Sequence, residues 1–261
     1  MTSSFGVTTP DYAEGCAVVF GGSGGLGRAS AGLMAERGSN IVVTYKARRA
    51  EAESLVEELR KLGRQASAVA CDVTDLKAVE AVFKHAVDTY KRVHTIVSAG
   101  GLVFDTGPLA QFTDESFRGV IETDIYGFYN IAKAGVPVLR EGKGGSFVAL
   151  VTSAVNRTVP CDALSATPKA AVAMMVRQLA TEEAAYGIRA NAVGPGVINA
   201  GMVLPMMETP TRALLEGATA VTPLKRWGEA AEIAEAVAFL ASSKASYITG
   251  QILMVDGGLA A

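Results

Sequence analysis

Cysteine, excess charge and long apolar runs are all scarce in this chain, and each scarcity excludes a class of protein. The cysteines, Cys16, Cys71 and Cys161, are odd in number and lack metal-ligand spacing. That argues against a disulfide framework or a metal site and for reduced thiols in a cytoplasmic protein. With 24 Lys and Arg against 26 Asp and Glu, the net charge is -2, which offers neither nucleic acid nor an anionic membrane a cationic surface. No apolar run is long enough to span a bilayer. Residues 1–14 hold Asp11 and Glu14 without a basic stretch, and so read as a polar, loosely held extension rather than a secretory leader.

What is present is a globular composition. The 261 residues are 49% hydrophobic with 28 glycines, enough for one large α/β domain with a substantial core. Short apolar runs at 17–20, 40–45, 65–70, 95–98, 146–151, 189–193 and 252–255 read as strands, and helical patterns fall at 50–62, 116–139, 168–186 and 229–241. After Thr74-Asp75, the residues Val79, Val82, Phe83 and Ala86 recur at i, i+3, i+4 and i+7, which predicts another helix. Residues 196–224 carry Pro205, Pro210 and Pro223 and show no clean period. Strands alternating with helices predict a parallel sheet with helices on both faces and ligands at the carboxyl ends of its strands.

The first strand runs into Gly21-Gly22-Ser23-Gly24-Gly25-Leu26-Gly27, and a helical pattern follows. Glycines at such a turn let the backbone approach a pyrophosphate, whose charge is met by N–H groups at the helix start. Glycine also serves ordinary turns, so the reading depends on later segments.

Those segments are Asp72-Val73, Asn191-Ala192-Val193-Gly194-Pro195-Gly196, Pro223-Leu224-Lys225-Arg226-Trp227-Gly228, and Tyr247-Ile248-Thr249-Gly250-Gln251 running to Val255-Asp256-Gly257-Gly258. In this order and spacing, with the glycine turn, the chain resembles the short-chain dehydrogenase/reductase family over nearly its whole length, and is similar to its 3-oxoacyl thioester reductase branch. The resemblance implies a single doubly wound Rossmann domain over 15–261 with a seven-stranded parallel sheet, a substrate lid at 196–224, and NAD(P)-dependent hydride transfer at a carbonyl or alcohol. It implies that Gly21, Ser23, Gly25, Leu26 and Gly27 hold the pyrophosphate and that Asp72 and Val73 lie against the adenine. Ala99, Gly100, Lys169, Pro195, Gly196 and Ile198 would complete the cofactor site. After the second strand, where an acid would hold the ribose of NAD, the run Thr44-Tyr45-Lys46-Ala47-Arg48-Arg49 has no acid before Glu51. Lys46 and its cationic neighbours favour NADP(H) over NAD(H). A solvated basic turn, and a site that binds no cofactor, are the other readings.

The residues matching the family's proton-transfer set depart from its pattern. Lys169 matches the lysine, but the tyrosine expected four residues before it is Ser165, and a serine hydroxyl is a far weaker acid than a phenol. Thr167-Pro168 looks like an N-cap followed by proline at the first helical position, which predicts a helix starting at Pro168 and leaves Ser165 on a loop. Ser153, or Thr152 beside it, matches the serine that polarises the carbonyl. Asp124 replaces the asparagine of the proton relay, as a relay itself or as a charge paired with Lys169. Ala200 stands where a threonine would contact the nicotinamide.

Other residues have blander readings. His85 and His94 suit surface or boundary positions, and Tyr126, Tyr129 and Tyr186 suit core or interface packing, with Tyr126 as the one candidate displaced acid. Met202, Met206 and Met207 in the lid suit a flexible apolar pocket or plain packing. The helical patterns at 116–139 and 168–186 match the family's subunit interface, with Ala170, Ala171 and Ala173 allowing close approach. Two functions fit. One is an oxidoreductase with an altered proton donor, acting on a small molecule, with an acyl-CoA or acyl-carrier thioester as a candidate substrate. The other is a catalytically silent subunit that partners an active paralogue, so that homo- and hetero-oligomers both stand.

Overall fold

The computed structural model describes residues 10–209 and 211–261. The chain runs β1 (Cys16–Phe20), α1 (Gly25–Glu36), β2 (Asn40–Tyr45), α2 (Arg49–Lys61), β3 (Ala66–Ala70), α3 (Leu76–Tyr90) and β4 (Val93–Ser98). It continues through α4 (Asp114–Val120), α5 (Gly127–Glu141), β5 (Gly145–Leu150), α6 (Ala163–Glu182) and β6 (Ile188–Pro195). The last elements are α7 (Val203–Met206), α8 (Thr211–Val221), α9 (Ala230–Ala241) and β7 (Ile252–Val255). The seven strands form one parallel sheet in the order β3-β2-β1-β4-β5-β6-β7. Chain order reverses between β1 and β4, and a crevice opens at such a point because the loops beyond the two strands diverge.

Each face of the sheet is covered, which is why its strands read as continuous apolar runs. Every residue of β1 is fully buried. On one face α3, α5 and α6 bring Val82, Phe83, Ile131 and Val176 onto the sheet. On the other, α1, α2 and α9 bring Met34, Leu55, Ile233 and Val237. Among the described residues, no helix is long and apolar enough to cross a membrane.

Four local expectations are corrected. Helix α6 begins at Ala163, not Pro168, so Ser165 lies one turn before Lys169 on the same helix. Proline is tolerated inside because burial of Leu164 and Pro168 compensates for the hydrogen bond that the ring removes. The expected helix at 116–139 is interrupted by a π-helical turn at Ile121–Tyr126, between α4 and α5. The lid holds two helices, α7 and α8, despite its prolines. Within the expected N-terminal extension, residues 1–9 lie outside the described residues, while Pro10–Glu14 are tied down. Tyr12 donates to the Ala238 carbonyl at 3.2 Å and stacks on His94. The backbone carbonyls of Pro10 and Asp11 accept from Ser243.

Candidate active site

Beyond Phe20 the chain turns at Gly21, whose φ of +76° favours glycine, and a Cβ there would lie 2.7 Å from the Gly100 nitrogen. The turns after β1 and β4 therefore meet backbone to backbone. Gly27 acts differently. A Cβ on it would stand 2.4 Å from the Gly21 carbonyl oxygen, so this glycine lets α1 sit directly on the turn, and it does not itself line the cleft. Helix α1 has no side-chain cap and no acid in its first turn. Its N–H groups and the positive end of its dipole are left for an anion, and the glycine turn leaves room for one.

The cleft encloses about 560 Å³. Apart from Gly27, all the residues expected in the cofactor and catalytic sets line it: Gly21, Ser23, Gly25 and Leu26 at the turn, Lys46, Asp72 and Val73 at one end, Ala99 and Gly100 in the floor, Pro195, Gly196 and Ile198 after β6, and Ser153, Ser165, Lys169 and Asp124 at the other end. At the first end, Asp72 is fixed by three contacts. Lys46 Nζ lies 2.6 Å from Oδ2, and the Thr74 backbone N–H and hydroxyl donate to Oδ1 at 3.0 and 2.8 Å. Burial pushes this carboxyl up, but the bonds from Lys46 and Thr74 outweigh it and hold its pKa below the ordinary value. The Lys46 charge is thus already engaged. Arg48 also lines this end and forms no ion pair among the described residues.

At the other end, Lys169 Nζ lies 3.2 Å from Asp124 Oδ1 and donates to the Gly100 carbonyl at 3.4 Å. The π turn carries Asp124 to this position. Thr152 and Ser153 both line the cleft; the Thr152 hydroxyl accepts from the Ala154 N–H at 3.2 Å, and Ser153 is only 4% exposed. The lid closes the remaining side with Met202, Met206, Leu214 and Leu215; Met207 stays outside. A hydrogen bond of 2.8 Å between the Thr106 and Thr211 hydroxyls links the loop after β4 to α8.

Three expectations fall away from the site. Tyr126 is 59% exposed and does not line the cleft, so it is no displaced acid; Tyr129 and Tyr186 are also exposed, which excludes core packing and leaves the interface reading. His94 is not at a surface or boundary. It is a buried residue of β4 whose Nε2 faces the Ser39 hydroxyl at 3.2 Å. Burial, reinforced by the Arg92 charge, depresses its pKa to about 4 and keeps it neutral. Conversely, sequence reasoning missed Asp162, which lines the cleft just before α6. Its signal was present: Asp162, Ser165 and Lys169 stand at i, i+3 and i+7, the spacing of one helix face. Burial raises its carboxyl to about 7, and the nearby Ser165 side chain only partly opposes that rise.

A family model described as enoyl-(acyl carrier protein) reductase matches residues 21–260. The chain belongs to the short-chain dehydrogenase/reductase family. This family member is 34% identical over 245 residues to a 3-oxoacyl-[acyl-carrier-protein] reductase of Staphylococcus aureus, covering 93% of this chain and 97% of that one. It is 36% identical over 255 residues to the cis-4-hydroxycyclohexanecarboxylate dehydrogenase of Sinomonas cyclohexanicum, covering 96% and 98%. A solved 7α-hydroxysteroid dehydrogenase, complexed with NADH and 7-oxo glycochenodeoxycholic acid, superposes with a TM-score of 0.88 at 28% identity, covering 97% of each chain.

Proposed function

We propose that this chain is an NAD(P)-dependent oxidoreductase that interconverts a carbonyl and an alcohol on a small, largely apolar substrate, with 3-oxoacyl thioesters as the leading class. The observation that carries the reading is the continuity of one cleft from the uncapped N-terminus of α1 to Ser153, Ser165 and Lys169. Gly21, Ser23, Gly25 and Leu26 would hold the pyrophosphate, and Asp72 and Val73 the adenine. The Lys169 ammonium would hold the nicotinamide ribose, and Ala99, Gly100, Pro195, Gly196 and Ile198 would frame the remaining cofactor contacts. Bound nicotinamide supplies the hydride. Ser153 is read as donating a hydrogen bond to the substrate oxygen, where charge develops as the carbonyl is reduced. Arg48, which forms no ion pair among the described residues, supports NADP(H) over NAD(H), while Lys46 supports it less because Asp72 already engages it. The apolar lid residues support a substrate that carries a hydrophobic group.

We further propose assembly through α5 and α6, supported by exposure of Tyr126, Tyr129 and Met174 (59%, 49% and 58%). The free cysteines, two of them buried, suit a reducing compartment. A second reading, the silent subunit of a heteromer, draws support from Ser165 in the tyrosine's place and from the internal pairing of Lys169 with Asp124.

The test is turnover. Purified chain is assayed alone with NADPH and NADH against 3-oxoacyl thioesters and cyclic ketones. Reduction that Ser153→Ala lowers at least about 100-fold supports the first reading. An inert chain that binds NADPH and restores activity to an intact homologue supports the second.

A further inference from the structure

Two apolar side chains that line the cleft, Met206 and Leu259, are only 6% and 4% exposed yet belong to neither of the cores that flank the sheet. Met206 comes from α7 of the lid, and Leu259 from the turn that follows β7. That turn is clamped from two sides. Gly257 and Gly258 have φ of +64° and +88°, and a Cβ on the first would stand 2.8 Å from Thr222 Cγ2, on the second 3.0 Å from Pro223 Cγ. The residues just past α8 therefore press directly on the turn, and the Leu224 N–H donates to the Gly257 carbonyl at 3.1 Å. The Asp256 carboxylate closes the turn from within, accepting from the Gly258 and Ala260 N–H groups at 2.9 and 2.8 Å. From the other side Arg157, on the loop that follows Ser153, donates to the Leu259 carbonyl at 2.6 Å. Leu259 is thus held between the end of the lid and the loop that carries Ser153.

This end of the cleft offers no unengaged cation among the described residues. The cations lining the cleft are Lys46 and Arg48, at the Asp72 end, and Lys169, which faces Asp124 at 3.2 Å. Arg157 is bonded to Leu259, and Arg212 pairs with Glu216 on α8 at 2.8 Å. The Thr106 and Thr211 hydroxyls bond each other, and Asp162 adds acceptor oxygens but no positive charge. Phe104, Val159, Leu214 and Leu215 supply further apolar lining. A carboxylate entering here would lose its water without gaining a partner, whereas a hydrocarbon chain or ring would be matched.

We propose that Leu259 is a specificity-determining residue: it closes the substrate end of the cleft and limits the length of an uncharged hydrocarbon group on the carbonyl substrate, with Arg157 as the positioning residue that holds it. The assignment rests on the oxidoreductase reading above and names the part of the substrate that the chain selects.

The experiment follows NADPH oxidation with acetoacetyl-, 3-oxohexanoyl-, 3-oxooctanoyl- and 3-oxodecanoyl-coenzyme A, and with methyl 4-oxocyclohexanecarboxylate against its free acid. It uses wild type, Leu259→Ala, Leu259→Phe, Arg157→Ala and Arg157→Lys. Leu259→Ala is expected to raise kcat/KM for the longest chain relative to the shortest by at least about 10-fold, and Leu259→Phe to lower that ratio by a similar factor. The change is expected in KM rather than kcat, as for a contact made equally in the ground and transition states. Arg157→Ala is expected to shift the ratio in the same direction as Leu259→Ala, and Arg157→Lys, which still donates to a carbonyl, to restore it. Wild type is expected to favour the ester over the free acid by at least about 10-fold. NADPH fluorescence identifies a variant that has not folded, and the opposite size change at 259 then decides. An unchanged chain-length ratio in the folded Leu259 variants overturns the assignment alone, as does a free acid that turns over as well as its ester. An equal loss across the panel on Arg157→Ala removes its positioning role. A wild-type chain that reduces none of these substrates overturns the oxidoreductase reading, and the assignment with it.

Discussion

Lys169 and Asp124 face each other at 3.2 Å with side chains only 15% and 7% exposed, which joins α6 to the π turn by a charge pair nearly closed to water. Removing one partner strands the other charge, a penalty larger than the pair's net worth. Asp124→Ala and Lys169→Ala are each expected to lower stability in urea by about 3 kcal/mol. Asp124→Leu with Lys169→Met is expected to lose much less than the two single losses combined. Two additive losses in the melts would show that the pair contributes little beyond its members.

Gly27→Ala and Gly32→Ala form a matched test of the turn. An alanine Cβ at 27 meets the Gly21 carbonyl oxygen at 2.4 Å, whereas nothing lies within 4 Å of one at 32. The first is expected to cost about 1–3 kcal/mol by overpacking and to weaken NADPH binding, since the turn itself must move. The second is expected to stabilise α1 by up to about 1 kcal/mol and leave binding unchanged. Melting curves and NADPH fluorescence read both.

Cofactor choice is expected to reside more in Arg48 than in Lys46. Arg48→Ala should weaken NADPH about tenfold, or ~1.4 kcal/mol, with NADH unaffected. Lys46→Ala should discriminate less, because Asp72 already holds that ammonium at 2.6 Å. Equal losses for the two nucleotides on Arg48→Ala would remove the preference for NADP.

Two groups make stability depend on pH in opposite senses. His94 is depressed from 6.5 to about 4, so the unfolded chain binds the proton more readily and stability falls as pH drops through that window, by about 1.4 kcal/mol per unit. Asp162 is raised from 3.8 to about 7, so its contribution is present at low pH and is lost as pH rises toward 7. Wild type should therefore show a shallow dependence between pH 4 and 6.5. Asp162→Asn should uncover the steep His94 slope, and His94→Phe should reverse it. Urea titrations of the variants at pH 5 and 7 give the comparison.

The sheet was legible because strands sealed on both faces must be apolar throughout, and Val18, Val42 and Ile96 are neighbours in register as well as in kind. The glycine turn was legible because close backbone approach admits no side chain at Gly21. The catalytic end was less so. Pro168 mimics a helix start, and only the burial of Leu164 and Pro168 shows that packing overrides the local signal. Asp162 carries no family motif, and only its spacing with Ser165 and Lys169 on one helix face marks it as a residue of the cleft. A single wide turn leaves no periodic trace in a long helical pattern, and the prolines of the lid concealed α7 and α8.

That wide turn, Ile121–Tyr126, has a consequence for how this fold tolerates change. The segment before it packs on α6 and the segment after it on α3 and β4. An unbroken helix would lock those two contacts to a single rotational phase, so that any adjustment near Asp124 would swing Ile131 and Gly135 off the sheet. One extra residue in the winding works as a slip joint. It lets the acidic side chain be aimed while the packing beyond it keeps its own alignment. Shortening the turn by a single residue would rotate one half of the rod against the other by about 100°, the angle per residue of a 3.6-residue turn.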